Sequence, residues 1–456
     1  MDYYFSHIYF IGIGGIGMSN LARYFKAKGK CVAGYDRTRT TLTKELEDEG
    51  ILIHYNEDVA AIPAGFLNPE KTLVVRTPAV PKEHAELRLF IEKGFKVLKR
   101  AEVLGLISRE CKGLCVAGTH GKTTTSMMMA HLLKQSHVDC SAFLGGISNN
   151  YKTNLLLTDA NDLMVIEADE YDRSFHQLLP WMSVITAVDA DHLDIYGTHE
   201  AYLESFAHFT ELIRPGGCLI IKKGLPLNCR LQPGVRLFTY SVTSTADFYA
   251  KNIRFEPGRL FFDYYMPDGC LLNLELGVPV RVNVENAVAA MAIAHLNGVT
   301  DQELRSGLAS FKGTKRRFDI QVKRDDFVYI DDYAHHPEEL RASIRSIREL
   351  FPGKKVTGIF QPHLYTRTRD FADDFADVLS GLDDLILLDI YPARELPIPG
   401  VTSEMILDKV TLASKTVTSL DKIFDVLDTK KPEVLVTLGA GNIDNLVPVL
   451  KKRYEV

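Results

Sequence analysis

The sequence predicts an α/β protein of three domains. These are an N-terminal Rossmann-like parallel sheet, a central phosphate-loop ATPase-type α/β domain with a small antiparallel annex, and a C-terminal Rossmann-like α/β domain. Three observations carry this. Short β-rich runs alternate with helical patterns along most of the 456 residues, the mark of parallel sheets. Two glycine-rich turns, at 12–17 and 118–124, each join such a run to a helix. Polar clusters follow the strand runs, where open α/β sheets place their ligands. The expected domains are 1–107, 108–312 and 313–456, close to the roughly 100–200 residues usual for a domain.

In the first domain, His7 to Ile13 reads as a strand. A helix follows with Met18, Leu21, Ala22 and Phe25 on one face, ended by Gly29. Cys31 to Tyr35, Thr72 to Val75 and Lys96 to Lys99 are further strands. Gly12, Gly14 and Gly17 have the spacing of a dinucleotide-binding turn, and Asp36 ends the next strand where a ribose-binding acid would lie. This pattern suits a pyrophosphate-bearing ligand on a helix N-terminus. A tight turn without ligand is the alternative.

In the central domain, the strand Gly113 to Ala117 feeds Gly118-Thr119-His120-Gly121-Lys122-Thr123-Thr124, and a helix runs from Thr123 to Gln135. A phosphate loop needs glycines to turn backbone N–H groups inward, a lysine for the terminal phosphates and an adjacent hydroxyl for magnesium. Lys122 and Thr123 fit, so ATP or a close relative is expected. The usual first glycine falls at Val116, so the loop is a shortened variant. Strands Leu163 to Ile166 and Val184 to Val188 end before Glu167 and Asp189. An acid at a strand end across from the loop can supply a magnesium ligand. Glu167 is the first candidate, and His192 is either a ligand to a second metal or a structural histidine. From Cys218 to Leu276, short alternating runs suggest the antiparallel annex, and Asn283 to Asn297 is a helix stopped by Gly298.

The third domain opens on Lys312 to Arg317, which reads as a linker. Arg316 and Arg317 are either solvated or able to swing onto phosphates when domains close. Strands are expected at Phe327 to Ile330, Val356 to Phe360, Leu385 to Leu388 and Val434 to Leu438. Between them lie Asp331 to His336, where His336 either caps the helix opened by Pro337 or acts chemically. His363, Arg367 and Arg369 after the next strand either suit a carboxylate or phosphate or form a solvated basic turn.

The balance of 53 basic and 59 acidic residues, net −6, argues against a nucleic-acid or anionic-membrane binder. Seven cysteines without a Cys-x-x-Cys pair read as reduced thiols, not as a zinc site or disulfide framework. Neither a signal-like start nor an uncharged apolar stretch of spanning length occurs. The expectation is a cytoplasmic enzyme acting on small molecules.

Together these motifs resemble the muramyl (peptidoglycan) amide ligases over nearly the whole chain. The short Gly-Thr-x-Gly-Lys-Thr-Thr loop, Glu167-Ala168-Asp169-Glu170 and Asp191-His192-Leu193-Asp194 carry the family likeness. Gly12 to Ser19 (with Gly15 and Met18), Asp331 to Pro337, and Phe360 to His363 with Thr366 to Asp370 point to the member that joins L-alanine to UDP-N-acetylmuramate. Tyr391-Pro392-Ala393 and Pro397 to Val401 agree, and Leu193 to Ile213 holds no lysine, unlike several later-acting relatives.

The resemblance implies that ATP phosphorylates the lactyl carboxylate and that the amine of L-alanine attacks the acyl phosphate. It implies Thr123, Glu167 and His192 around Mg2+, the first glycine loop on the UDP part, Asn283 and Asn286 near adenine, and Arg316 or Arg317 on phosphates. Tyr333, His335, His363 and Arg367 would form the alanine end. Val282 stands where the family usually has histidine, Leu364 where relatives often carry arginine, and Asn442 for a common aspartate. The competing readings are a recycling ligase that attaches a whole tripeptide, a nicotinamide-dependent dehydrogenase using the first loop, and a nucleotide-sensing module without catalysis.

Overall fold

The computed structural model describes residues 5–393 and 395–455. The chain divides into two compact units: Met1–Lys251 with Asp263–Leu274 and Val284–Phe311, and Asn252–Phe262 with Glu275–Asn283 and Lys312–Val456.

The first unit opens with a five-stranded parallel sheet, ordered Leu52–His54, Cys31–Tyr35, His7–Ile11, Thr72–Arg76, Lys96–Lys99. Its order reverses beside His7–Ile11, and the first glycine loop leaves from that strand's carboxyl end, the usual ligand position of such sheets. Alternation along the strand sends Ile8 and Phe10 into one core with Met18, Leu21 and Phe25, and Tyr9 and Ile11 into another with Phe66, Leu87 and Phe90. The second core holds a polar cluster. Tyr9 donates to Glu86 Oε2 at 2.7 Å, and His54 Nε2 lies 2.8 Å from Tyr9 Oη and 3.4 Å from Glu86 Oε1. Burial pushes the Glu86 carboxyl up to about 7.

The strand expected over His7 to Ile13 stops at Ile11, because Gly12 takes φ +86 and both Gly12 N and Ile13 N donate to Tyr35 O. The edge strand Leu52–His54 was not expected from the sequence.

The central sheet sets the phosphate-loop strand Lys112–Ala117 between Leu163–Glu167 and Pro180–Ile185, all parallel. The run expected at Val184 to Val188 ends instead at Ile185. Thr186 still gives its N–H to Ala117 O, but the partner strand ends there as Gly118 takes φ +135, and the Thr186 hydroxyl donates to His120 O at 2.5 Å. The annex also begins later than expected. Cys218–Lys222 and Arg236–Ser241 extend the sheet in parallel, and only Phe248–Glu256, Arg259–Met266 and Gly269–Glu275 are joined by turns tight enough for hairpins. At the other edge, Ser141–Phe143 carries an antiparallel partner, Leu155–Leu156.

The second unit holds a six-stranded sheet, ordered Asp319–Lys323, Val328–Asp332, Val434–Leu438, Val356–Phe360, Asp384–Leu388, Lys415–Thr418. The first of these pairs antiparallel and the rest parallel. The stretch read as a linker is part of this unit: Thr314 is buried, Arg316 Nη2 donates to Gly439 O at 2.6 Å, and Arg316 Nε lies 3.4 Å from Asp331 Oδ2. Among the described residues, no helix is long and apolar enough to cross a membrane.

Candidate active site

The phosphate loop needs its glycines. Gly118 has φ +135, and a Cβ there would lie 2.1 Å from Thr186 Oγ1; Gly121 has φ +80, and its Cβ would lie 2.7 Å from Asn286 Oδ1. Only glycine accepts both the conformation and the crowding. The loop is braced by Thr119, whose N–H donates to Ala187 O and whose hydroxyl meets Asp189 O at 2.9 Å. His120 points outward, 73% exposed and 3.7 Å from Asp189 Oδ2. Thr124 lies in the first turn of helix Lys122–Lys134, whose N-terminus favours anions.

Lys122 and Thr123 face two carboxylates of the strand-end motif. Lys122 Nζ donates to Glu170 Oε1 at 2.8 Å and to Gly118 O at 2.7 Å. Thr123 Oγ1 donates to Glu167 Oε1 at 3.0 Å. Gly145 lets the chain pass Glu167, since a Cβ there would fall 2.0 Å from Oε2. Glu170 is buried, its Oε2 has no hydrogen-bond partner, and its pKa is raised by burial against the lowering pull of Lys122. His192 Nε2 lies 3.9 Å from Glu170 Oε1 and 3.6 Å from Asp191 Oδ2, on a left-handed backbone, φ 51. A non-glycine residue held there is a strain that such sites tolerate.

Glu170 is the residue that sequence reasoning passed over in favour of Glu167. Its place in the same motif was the available signal, but its burial was not. Asn286 joins this group through Thr125 Oγ1 at 3.1 Å. Asn283 instead bonds Val278 O at 3.3 Å. Among the described residues, no cluster of three or more His, Cys, Asp or Glu is arranged to hold a metal ion.

At the first glycine loop, Asp36 serves the loop itself. Its Oδ2 accepts from Gly14 N at 2.7 Å and its Oδ1 from Thr38 N at 3.0 Å. Met18 is core, 2% exposed, while Gly15 is exposed. A cavity of about 250 Å3 is lined by Gly17, Asn20 and Arg100 on one side and by Gly145, Glu167 and Asp169 on the other. It therefore joins the first loop's helix to the acid motif.

In the second unit, Arg316 and Arg317 lie over the Tyr333 ring at 5.1 and 5.4 Å. Tyr333, His335, His363 and Tyr391 form a run of neighbouring rings with centroids 5.2, 5.8 and 5.8 Å apart. Arg367 Nη1 lies 3.5 Å from His363 Nδ1. Burial lowers the His335 pKa, against the nearby Glu339, so a neutral imidazole is favoured there. His336 occupies the N-cap position of helix Pro337–Leu350, where Glu339 reaches back to its N–H at 3.2 Å. Asn442 is matched to its neighbour, since the Gln361 amide donates to Asn442 Oδ1 at 2.8 Å and accepts from Ile443 N at 2.9 Å. Leu364 adopts φ 73 between His363 and the helix that carries Arg367, and bonds Tyr391 O.

Three family models match the chain in order: "Mur ligase family, catalytic domain" over residues 7–111, "Mur ligase middle domain" over 116–294, and "Mur ligase, glutamate ligase domain" over 316–441. The chain is 62% identical to the UDP-N-acetylmuramate–L-alanine ligase of Parabacteroides distasonis, over 98% of this chain and 96% of that one. It is 60% identical to that of Phocaeicola vulgatus, over 97% and 96%. The solved UDP-N-acetylmuramate–alanine ligase of Thermotoga maritima superposes with TM-score 0.82 at 26% identity, covering 98% of this chain and 99% of that one. A short phosphate loop facing Glu167 and Glu170, set in a chain that all three models cover in sequence, leaves one conclusion: the chain belongs to the Mur ligase family.

Proposed function

We propose that this chain is an ATP-dependent ligase of the cytoplasm that joins L-alanine to the lactyl carboxylate of UDP-N-acetylmuramate. The observation that carries the reading is the Lys122–Glu170 and Thr123–Glu167 pairing at the phosphate loop. It is supported by relatives that bear this activity in their names and match nearly end to end.

We assign residues 1–107 to the UDP-sugar, with Gly12, Gly14, Gly15 and Gly17 at its diphosphate. Residues 108–312 take ATP, and 313–456 the amino acid. Lys122 neutralises charge on the transferring phosphoryl group, and the helix N-terminus behind it adds to that field. Transfer to the lactyl carboxylate gives an acyl phosphate, whose carbonyl carbon the alanine amine attacks, with phosphate leaving. Each residue's task is positioning and charge neutralisation. Mg2+ suits the donor set: a hydroxyl beside a carboxylate at Thr123 and Glu167, with His192 and the unpaired Glu170 Oε2 close by. Magnesium keeps few protein ligands and takes the rest from phosphates and water; it supplies charge neutralisation on the phosphates. Tyr333, His335, His363 and Arg367 receive the amino acid, with Arg367 suited to its carboxylate.

Phosphate release is measured with UDP-N-acetylmuramate, ATP and Mg2+ against a panel of amino acids and the cell-wall tripeptide. The expected result is release that requires both the nucleotide sugar and L-alanine. Turnover with the tripeptide and none with L-alanine would replace this reading by the recycling activity. Release without either acceptor would remove it.

A further inference from the structure

The acid motif that serves the phosphate loop also reaches the start of helix Arg100–Ser108. Arg100 Nη2 donates to Asp169 Oδ2 at 2.9 Å, and Lys99 Nζ lies 2.9 Å from Asp172 Oδ2. The Arg100 guanidinium stands against Gly17, where an added Cβ would lie 2.5 Å from Nη1. A cation is therefore parked at the first turn of helix Ile16–Ala27, the end whose dipole repels it. That turn contains no acidic residue. The cavity beside it carries a second sign of an absent partner. Asn20, 3% exposed, lines it and gives its amide N–H to Leu144 O, but its Oδ1 has no hydrogen-bond partner. Buried polar atoms of this kind ordinarily have one.

We propose that Arg100 is a positioning residue that exchanges Asp169 for the diphosphate of the nucleotide sugar, while Asn20 Oδ1 accepts a hydroxyl or amide hydrogen of the sugar. The proposal rests on the first loop being the nucleotide-sugar site. The exchange is favoured because the Asp169 pair is partly exposed, 24% and 38%, and such single pairs are weak. A diphosphate brings more charge and offers a guanidinium two acceptors at once. Asp169 lies between Glu167 and Glu170. Filling the first loop thus frees a carboxylate inside the motif that holds Thr123 and Lys122, and by linkage each site reports on the other.

The test is calorimetric titration of UDP-N-acetylmuramate into the full-length protein without ATP, for Arg100→Ala, Asp169→Asn, the double variant and Gly15→Ala. Arg100→Ala is expected to weaken binding about tenfold or more, as loss of a charged hydrogen bond should. Asp169→Asn is expected to tighten binding several-fold, because it releases Arg100. The double variant should match Arg100→Ala alone. A merely structural pair would move both single variants in the same direction, and that result overturns the proposal. Gly15 sits at φ −69, ψ 144, and a Cβ there meets nothing closer than 3.8 Å, so Gly15→Ala folds yet puts a methyl group on the loop. If it weakens binding while Arg100→Ala does not, the role of Arg100 falls and the loop keeps its ligand. If neither variant changes binding, the nucleotide sugar sits elsewhere, and both readings fall.

Discussion

The two glycine loops of the first unit share one frame and differ in everything that decides chemistry. Each leaves the carboxyl end of a parallel strand and opens a helix. Behind the second stand a lysine and a hydroxyl, each tied to a buried or half-buried carboxylate. Behind the first, the helix opens on Ile16, Gly17 and Met18, Asp36 is spent on the loop's own backbone, and the cation beside it, Arg100, is held by Asp169. A helix N-terminus suffices to bind an anion. Reacting with it takes side chains that can follow charge as it moves. On the proposed function, the first loop holds a substrate and the second activates one.

The largest expected effect comes from breaking that asymmetry at Lys122. Lys122→Ala should lower phosphate release by roughly 10³-fold or more, while calorimetry finds UDP-N-acetylmuramate binding largely intact. Loss of both would mean that the two loops are not separate sites. A smaller loss is expected from Glu170→Gln, which leaves a buried amide where a carboxylate now holds Lys122. Steady-state assays should show a fall of about 10–100-fold, the range for partners that orient a reacting group. No fall would make Glu167 the only acid that matters. Gly118→Ala tests the frame itself. The strained φ and the clash with Thr186 should cost about 1–3 kcal/mol, read as a lower midpoint in urea. The same substitution at Gly15 should leave the midpoint unchanged.

The smallest effect contrasts the carboxylates behind the two loops. Glu170 has a lysine partner; Glu86, in the domain of the first loop, has Tyr9 and His54. A carboxyl lifted from 4.5 to about 7 on folding binds its proton more tightly in the native state. Its contribution is fully present below the unfolded value, near pH 4.5, and is lost as pH rises through 7. Urea midpoints should therefore decline over that window by about 1–3 kcal/mol, and Glu86→Gln should flatten the decline. An unaltered profile would place the titration elsewhere.

Both loops were legible in the sequence because their requirements are local: a glycine where φ must be positive, a lysine at the helix start. What escaped reading depends on residues far along the chain. The strand at Leu52–His54 is short, and Leu52 is 61% exposed, so no buried face marks it. The apolar run to Val188 does not reveal that the partner strand ends at Ala117, leaving the residues after Thr186 without a ladder. Arg316 read as linker because Asp331 and Gly439, which fix it, are distant in sequence. Glu170 was visible as a letter in a motif, but the enclosure that makes it partner to Lys122 is a property of the folded domain. The parallel strands Cys218–Lys222 and Arg236–Ser241 were absorbed into the annex because glycine and proline punctuation is alike around both kinds of strand.

The salt link between Lys122 and Glu170 makes the resting pocket a closed circuit. Its positive pole is already occupied, so chloride or a lone phosphate must compete with a buried carboxylate that cannot follow it into water. A triphosphate arriving with its own divalent ion can win the lysine and leave Glu170 a new cation to face. The pocket thus has a threshold. Sulfate or inorganic phosphate alone should do little to raise its melting temperature, and nucleotide with magnesium should raise it clearly.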